Sequence, residues 1–154
     1  MLVVDVETSG LTPEKNSILS IGALDISAPD KRFYGECRIW ADAEVNDEAL
    51  EVNGFTTTDI NDPKKKTEAE LITEFLEWSQ HLSDRTITGQ NPSFDRDFLQ
   101  AAARRAELAW DLAHRTIDTH TLAYMHMVKR GLPAPIDPQH RRSNLDLDAI
   151  LNYC

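Results

Sequence analysis

Met1-Leu-Val-Val-Asp-Val-Glu-Thr-Ser-Gly10 opens the chain with a β-branched run that reads as a buried strand, yet it carries two acids. A strand alternates faces at every residue, so Asp5 and Glu7 project one way with Val3, and Leu2, Val4 and Val6 the other. Same-face neighbours along a strand stand roughly 6.5–7 Å apart. Two carboxylates so placed raise each other's pKa, and a divalent cation is the usual remedy. An edge strand with one solvated face would also accommodate them, so the rest of the chain has to decide.

The 154 residues suit one domain with a core of real size. No apolar run approaches a membrane span, and no charged-then-apolar leader precedes the first strand. A soluble, cytoplasmic protein with no membrane partner is therefore expected. Cys37 and Cys154 have neither disulfide-framework nor metal-ligand spacing. A net charge of −10 excludes a general nucleic-acid coat, because non-specific binding relies on Lys and Arg neutralising phosphates. It does not exclude an enzyme that grips nucleic acid locally through metal ions.

Working outward, Leu2–Val6 is the first strand, and Gly10-Leu-Thr-Pro13 breaks it with turn chemistry. Ser17–Ile26 reads as a second strand, Ala28–Lys31 as a hairpin loop and Arg32–Trp40 as a third, antiparallel strand. Residues 41–62 are polar and irregular, with one short helical candidate at Asp47–Val52. Thr67-Glu-Ala-Glu70 is a capping box, and apolar residues at helical spacing carry that helix to about Leu82. Thr86–Asn91 reads as a fourth strand, followed by a helix from Phe94 to about Glu107 that Ser93 caps. Thr116–Asp118 is a fifth strand, leading into a helix from Thr119 to Lys129. Pro133, Pro135 and Pro138 mark a loop of about a dozen residues. Ser143 or Asn144 caps a last helix.

Three meandering strands followed by helix–strand alternation predict an α/β fold with a mixed five-stranded sheet flanked by helices. Right-handed crossovers place strand 4 beside strand 1, on the side away from the hairpin. The C-terminal end of strand 1 and the loop after strand 4 then meet at the crevice where open α/β sheets bind ligands. Asp95, in the first turn after strand 4, arrives there with Asp5 and Glu7. A helix N-terminus also favours a carboxylate for its own sake. Three acidic oxygens at one sheet end nevertheless describe a hard-cation site for magnesium or manganese.

Val3-Val-Asp-Val-Glu-Thr-Ser-Gly-Leu11 resembles the first motif, Asp-x-Glu-Thr, of the DEDD 3′→5′ exonucleases. Asn91-Pro-Ser-Phe-Asp-Arg-Asp-Phe-Leu99 resembles the second. The strand Ile18–Asp25, the turn Asn53-Gly-Phe-Thr56 and Thr116-Ile-Asp-Thr119 also look like this family, so the resemblance covers essentially all of residues 1–154. It implies a ribonuclease H-like three-layer fold and phosphodiester hydrolysis with two divalent ions, Mg2+ or Mn2+, roughly 3.5–4 Å apart. By the same resemblance, Asp5, Glu7 and Asp95 would be the metal ligands and catalytic acids. Thr8 and Leu11 would meet the terminal nucleoside, with Asn91 and Phe94 shaping the same pocket; plain core packing would equally explain Leu11 and Phe94. The implied partner is the 3′ end of single-stranded DNA or RNA. A polymerase or a second copy of the chain are further partners that the family suggests.

The family's third motif, His-x-Ala-x-x-Asp, is not among these residues. Arg142–Cys154 resembles the helix that normally precedes it, so the expectation is an exonuclease-like domain without the helix that bears the general base and fourth carboxylate. Such a chain would be inactive or nearly so, or a catalytically dead relative that binds 3′ ends or a protein. His140 and Asp146 are spaced wrongly to substitute. Asp118 reads as structural, and His120 and His126 as surface or packing residues. His81 and His114 carry no motif. Lys64-Lys-Lys66 and Arg141-Arg142 read as solvated, with phosphate contact as the sharper alternative. An aspartyl-phosphate phosphatase also places acids at the end of a first strand, but it needs Asp-x-Asp, and Glu7 argues against it.

Overall fold

A computed structural model describes residues 1–154. The alternation in the opening stretch governs the fold. β1 (Leu2–Thr8) buries Leu2, Val4 and Val6 and leaves Asp5 exposed on the opposite face. β2 (Ile18–Asp25) and β3 (Ala28–Glu36) pair antiparallel beside it. β4 (Ile87–Gly89) and β5 (Thr116–Asp118) pair parallel on its other side, giving the order β3-β2-β1-β4-β5. The mixed five-stranded sheet with β1 at its centre is as expected.

The helices are α1 (Asp47–Asn53), α2 (Thr57–Ile60), α3 (Glu68–Ser79), α4 (Pro92–Arg105), α5 (Thr119–Lys129) and α6 (Leu147–Tyr153). Leu71, Phe75, Phe98 and Leu99 from α3 and α4 join Leu2, Val4 and Val6 in the main core. Burying such side chains is worth roughly 1.5–3 kcal/mol each, which fixes the strand's register by fixing its inward face. Leu19, Leu50 and Ile60 form a small satellite that seats α1 and α2. A second satellite of Ala123, Met127 and Leu145 joins α5 to the segment before α6.

Several boundaries differ from the sequence reading. The hairpin turn lies at Ile26–Ser27 rather than Ala28–Lys31, because Asp25 Oδ1 accepts bonds from Ser27 N (3.0 Å) and Ser27 Oγ (2.5 Å) and closes the turn early. β3 therefore starts at Ala28 and ends at Glu36, not Trp40. Pro29 is tolerated because β3 is an edge strand. Beyond it the chain leaves β2, with Arg38 N bonding Lys66 O and Ile39 N bonding Ile60 O. The capping box at Thr67 and Glu70 forms as expected, but α3 stops at Ser79 and Leu82 packs beyond it.

Helix α2, unforeseen, has its own capping box of Thr56 and Asp59. Helix α4 is not capped by Ser93. Asn91 is its N-cap in the left-handed region (φ 52°), a conformation asparagine tolerates, and Pro92 supplies the first turn. Helix α6 is capped by Asp146, which accepts a bond from Ala149 N, rather than by Ser143 or Asn144. Part of the proline-marked loop is a small hairpin of β6 (Ile136–Asp137) and β7 (Arg142–Ser143). No helix is long and apolar enough to cross a membrane.

Candidate active site

β1 pairs with β4 only at Leu2 and Val3, and β4 ends at Gly89. A side chain at Gly89 would press on Val4 O at 3.1 Å, so glycine permits this close approach. Past it the chain turns into α4, and the Val6 N–H points to the helix's first turn rather than to a strand. Asp95 Oδ1 accepts that N–H at 2.9 Å, across 89 residues of sequence. The bond plants the Asp95 carboxylate against β1, level with the residue that separates Asp5 from Glu7.

The three acids share an unbalanced charge. Asp95, 3% exposed, is pushed up to about 7, chiefly by burial, with the charges of Asp5 and Glu7 adding to it and the Val6 N–H opposing. Glu7 is raised by burial and then by the charge of Asp5, with no hydrogen bond easing it. None of the ten ion pairs in the molecule includes any of the three. Hard carboxylate oxygens with no protein cation beside them fit a divalent ion chemically. They do not by themselves close into a three-ligand cage: no group of three acids, His or Cys converges tightly enough. The bond to Val6 holds Asp95 against the strand while Asp5 faces outward.

Beside these acids lies a cleft of about 310 Å³, lined by Val6, Glu7, Thr8, Leu11 and Phe94 on one side and by α1 on the other. Leu11 is 77% exposed, which rules out core packing as its role, and Val52 faces the same cleft at 89%. Phe94 does both jobs, lining the cleft while stacking on Phe98 at 4.8 Å. Thr8 is buried, its hydroxyl donating to Gly10 O at 2.7 Å and its carbonyl accepting from Asn53 Nδ2 at 3.0 Å. The turn that presents Leu11 depends on Gly10, where a side chain would fall 2.5 Å from Asn16 Nδ2. Asn91 is not part of the cleft wall. It starts α4 and accepts the Ser93 hydroxyl at 3.1 Å.

The α1 wall was missed in the sequence. Asn46, Glu48, Ala49, Val52 and Asn53 line the cleft, and the one available signal was the short helical pattern at Asp47–Val52. The doubtful substitutes do not converge. His140 Nδ1 meets Asp137 Oδ2 at 2.6 Å, and Asp146 is occupied capping α6. Asp118 caps α5 through His120 N, the structural role expected of it. His120 and His126 pair with Ser143 and Tyr153.

A family model described as "Exonuclease" (RNase_T) matches residues 2–145. The chain belongs to this exonuclease family. Ribonuclease T of Hahella chejuensis is 33% identical over 147 residues, covering 82% of this chain and 66% of that protein. Ribonuclease T of Haemophilus ducreyi is 28% identical, covering 79% and 64%. The chain thus spans under two thirds of the length of these curated relatives. Escherichia coli exonuclease I, solved with an oligonucleotide, superposes with a TM-score of 0.77 over 98% of this chain and 35% of its own, at 15% identity. A product-bound exonuclease I gives 0.76 over 98% and 37%, at 16%. The fold is the ribonuclease H-like fold of these exonucleases. The DEDD exonucleases normally use divalent metals.

Proposed function

We propose that this domain is the core of a metal-dependent 3′→5′ exonuclease acting on single-stranded nucleic-acid ends, in a soluble, cytoplasmic protein. The observation that carries the reading is Asp95 bonded to Val6 N–H, level with Asp5 and Glu7 and beside a cleft with exposed apolar jaws. Asp5, Glu7 and Asp95 would hold two divalent ions together with substrate and water oxygens. When bound, such ions supply an activated water and neutralise charge on the phosphate and the leaving oxygen.

The chain's own residues account for the rest. Leu11 and Val52, exposed on opposite sides of the cleft, offer apolar surface to a terminal base of any identity. Phe94 lines the same cleft. The bond from Asn53 to Thr8 O holds α1 to the end of β1, which keeps the two jaws in register. DNA and RNA ends suit such a cleft equally, and a polymerase or a second copy of the chain are partners compatible with this reading.

A general base and a fourth carboxylate, His-x-Ala-x-x-Asp in the family, are not among these residues. A missing base alone slows a reaction typically 10²–10⁴-fold. The test is a 3′-labelled single-stranded oligonucleotide with manganese. Slow release of mononucleotides that Asp5→Asn abolishes is expected. Internal cleavage, or release indifferent to Asp5→Asn, would overturn the reading. A second reading, a 3′-end binding module without turnover, is favoured by the absence of His-x-Ala-x-x-Asp from residues 1–154. Metal-dependent binding with no product would select it.

A further inference from the structure

The charge of −10 is unevenly spread. Residues 114–143 carry five Lys and Arg (Arg115, Lys129, Arg130, Arg141 and Arg142) against two acids. All five are exposed and none enters an ion pair, whereas seven of the other eleven Lys and Arg do. The two acids are already engaged. Asp118 caps α5, and Asp137 accepts from Gln139 N, His140 N and the His140 ring. Arg142 stands opposite Asp137 in the β6–β7 pair and shares part of its charge with it, while the remaining positive charge along α5 and the hairpin has no ion-pair partner.

That flank is tied to the acidic end of the sheet. The hydroxyl of Thr119, the first residue of α5, lies 3.1 Å from Gly89 O and 2.5 Å from Gln90 Oε1. The β6–β7 hairpin then returns along α5. Ser143 Oγ meets His120 Nε2 at 2.8 Å, and Gln90 Nε2 donates to Leu145 O at 3.0 Å. Arg142 stands three residues before Leu145, at most about 10 Å of extended chain from that anchor. Gln90 is itself five residues before Asp95. Alongside, α5 exposes Leu122 and Met125 at 57% and 58%. Cations without ion-pair partners, interleaved with exposed apolar side chains, match the chemistry of a single strand, with its phosphates on the cations and its bases on the apolar surface.

We infer that this flank, with Arg141 and Arg142 nearest the sheet edge, is a track for the phosphates of a single strand whose 3′-terminal nucleotide occupies the Leu11–Phe94 cleft. The inference rests on the exonuclease reading and adds the path of the strand. The test measures binding of a twelve-residue oligothymidylate and of its dinucleotide by fluorescence anisotropy, in calcium and over a series of salt concentrations. Arg141→Asn combined with Arg142→Gln should weaken the twelve-mer about tenfold and reduce the salt slope by about 1.4, near 0.7 per lost phosphate contact. Dinucleotide binding should not change. Asparagine suits position 141, where φ is 54°. Lys129→Gln with Arg130→Gln, on the helix itself, should give a smaller loss in the same direction.

Unchanged twelve-mer affinity and slope in both double variants, or no binding of the twelve-mer by the unaltered chain, would overturn the track. The cleft is separable through Leu11→Ala. If that variant weakens both oligonucleotides while the arginine variants weaken neither, the cleft stands and the track falls. If only the arginine variants act, on the twelve-mer alone, the track stands and the cleft reading falls.

Discussion

Glu68 and Asp95 are both buried carboxylates, 4% and 3% exposed, and the fold treats them in opposite ways. Glu68 accepts Ser17 Oγ, Ile18 N and two nitrogens of Arg105, at 2.8–2.9 Å. Arg105 in turn donates to Pro13 O and lies over the Trp40 ring. The cluster pins the start of β2, the start of α3 and the end of α4 together with its charge balanced. Asp95 has one backbone N–H and faces two more acids, with no cation from the protein. A buried ion pair of this kind holds structure, and its partners are all internal. A buried acid left among like charges stores a demand for something from outside, which marks the functional end of the molecule.

Asp5→Asn should sharpen this contrast most. Manganese-dependent mononucleotide release should fall by about 10³-fold or more, roughly 4 kcal/mol of transition-state stabilisation. Its unfolding free energy in denaturant should change by no more than about 0.5 kcal/mol, since Asp5 is exposed. Glu68→Ala is the converse. Leaving the Arg105 guanidinium uncompensated should cost about 3–5 kcal/mol in urea unfolding. A cost near zero would break the comparison.

Asp95→Asn separates the two effects at one residue. In metal-free protein the native-state pKa of Asp95 is raised to about 7, well above its unfolded value. Its contribution to stability is therefore fully present below the unfolded pKa and is lost as pH rises through about 7. Asparagine keeps the acceptor for Val6 N–H and removes the titration. The variant should flatten stability between pH 5 and pH 8 and exceed the parent at pH 8 by on the order of 3 kcal/mol. Added manganese should stabilise the parent and not the variant. A parent whose metal-free stability does not fall over that range would contradict the unbalanced charge. The smallest expected effect belongs to Leu11→Ala, about 1 kcal/mol in 3′-end binding with unfolding unchanged, read by titration of a labelled oligonucleotide.

Much of this was legible locally. The inward and outward faces of β1 follow from alternation alone, and the capping box at Thr67 and Glu70 formed as read, because each depends on residues within a few positions. The two acidic motifs identified the family, and the family model bears that out. Where local signals compete, tertiary contacts choose between them. Ser93 was a plausible cap until Asn91 adopted the left-handed conformation ahead of Pro92, and Asp25 closed its turn earlier than the proline-bearing stretch suggested.

By itself, then, the sequence determined which acids share a face of β1, that α4 begins near Asp95, and which exonuclease motifs the chain carries. Only the tertiary structure decided that Asp95 bonds Val6 N–H, that α1 walls the cleft through Val52, and that Glu68 meets Arg105. Each of these is a contact between residues far apart in the chain. The first exists because β4 stops at Gly89 and lets helix and strand diverge, a consequence of packing that no short window of sequence contains.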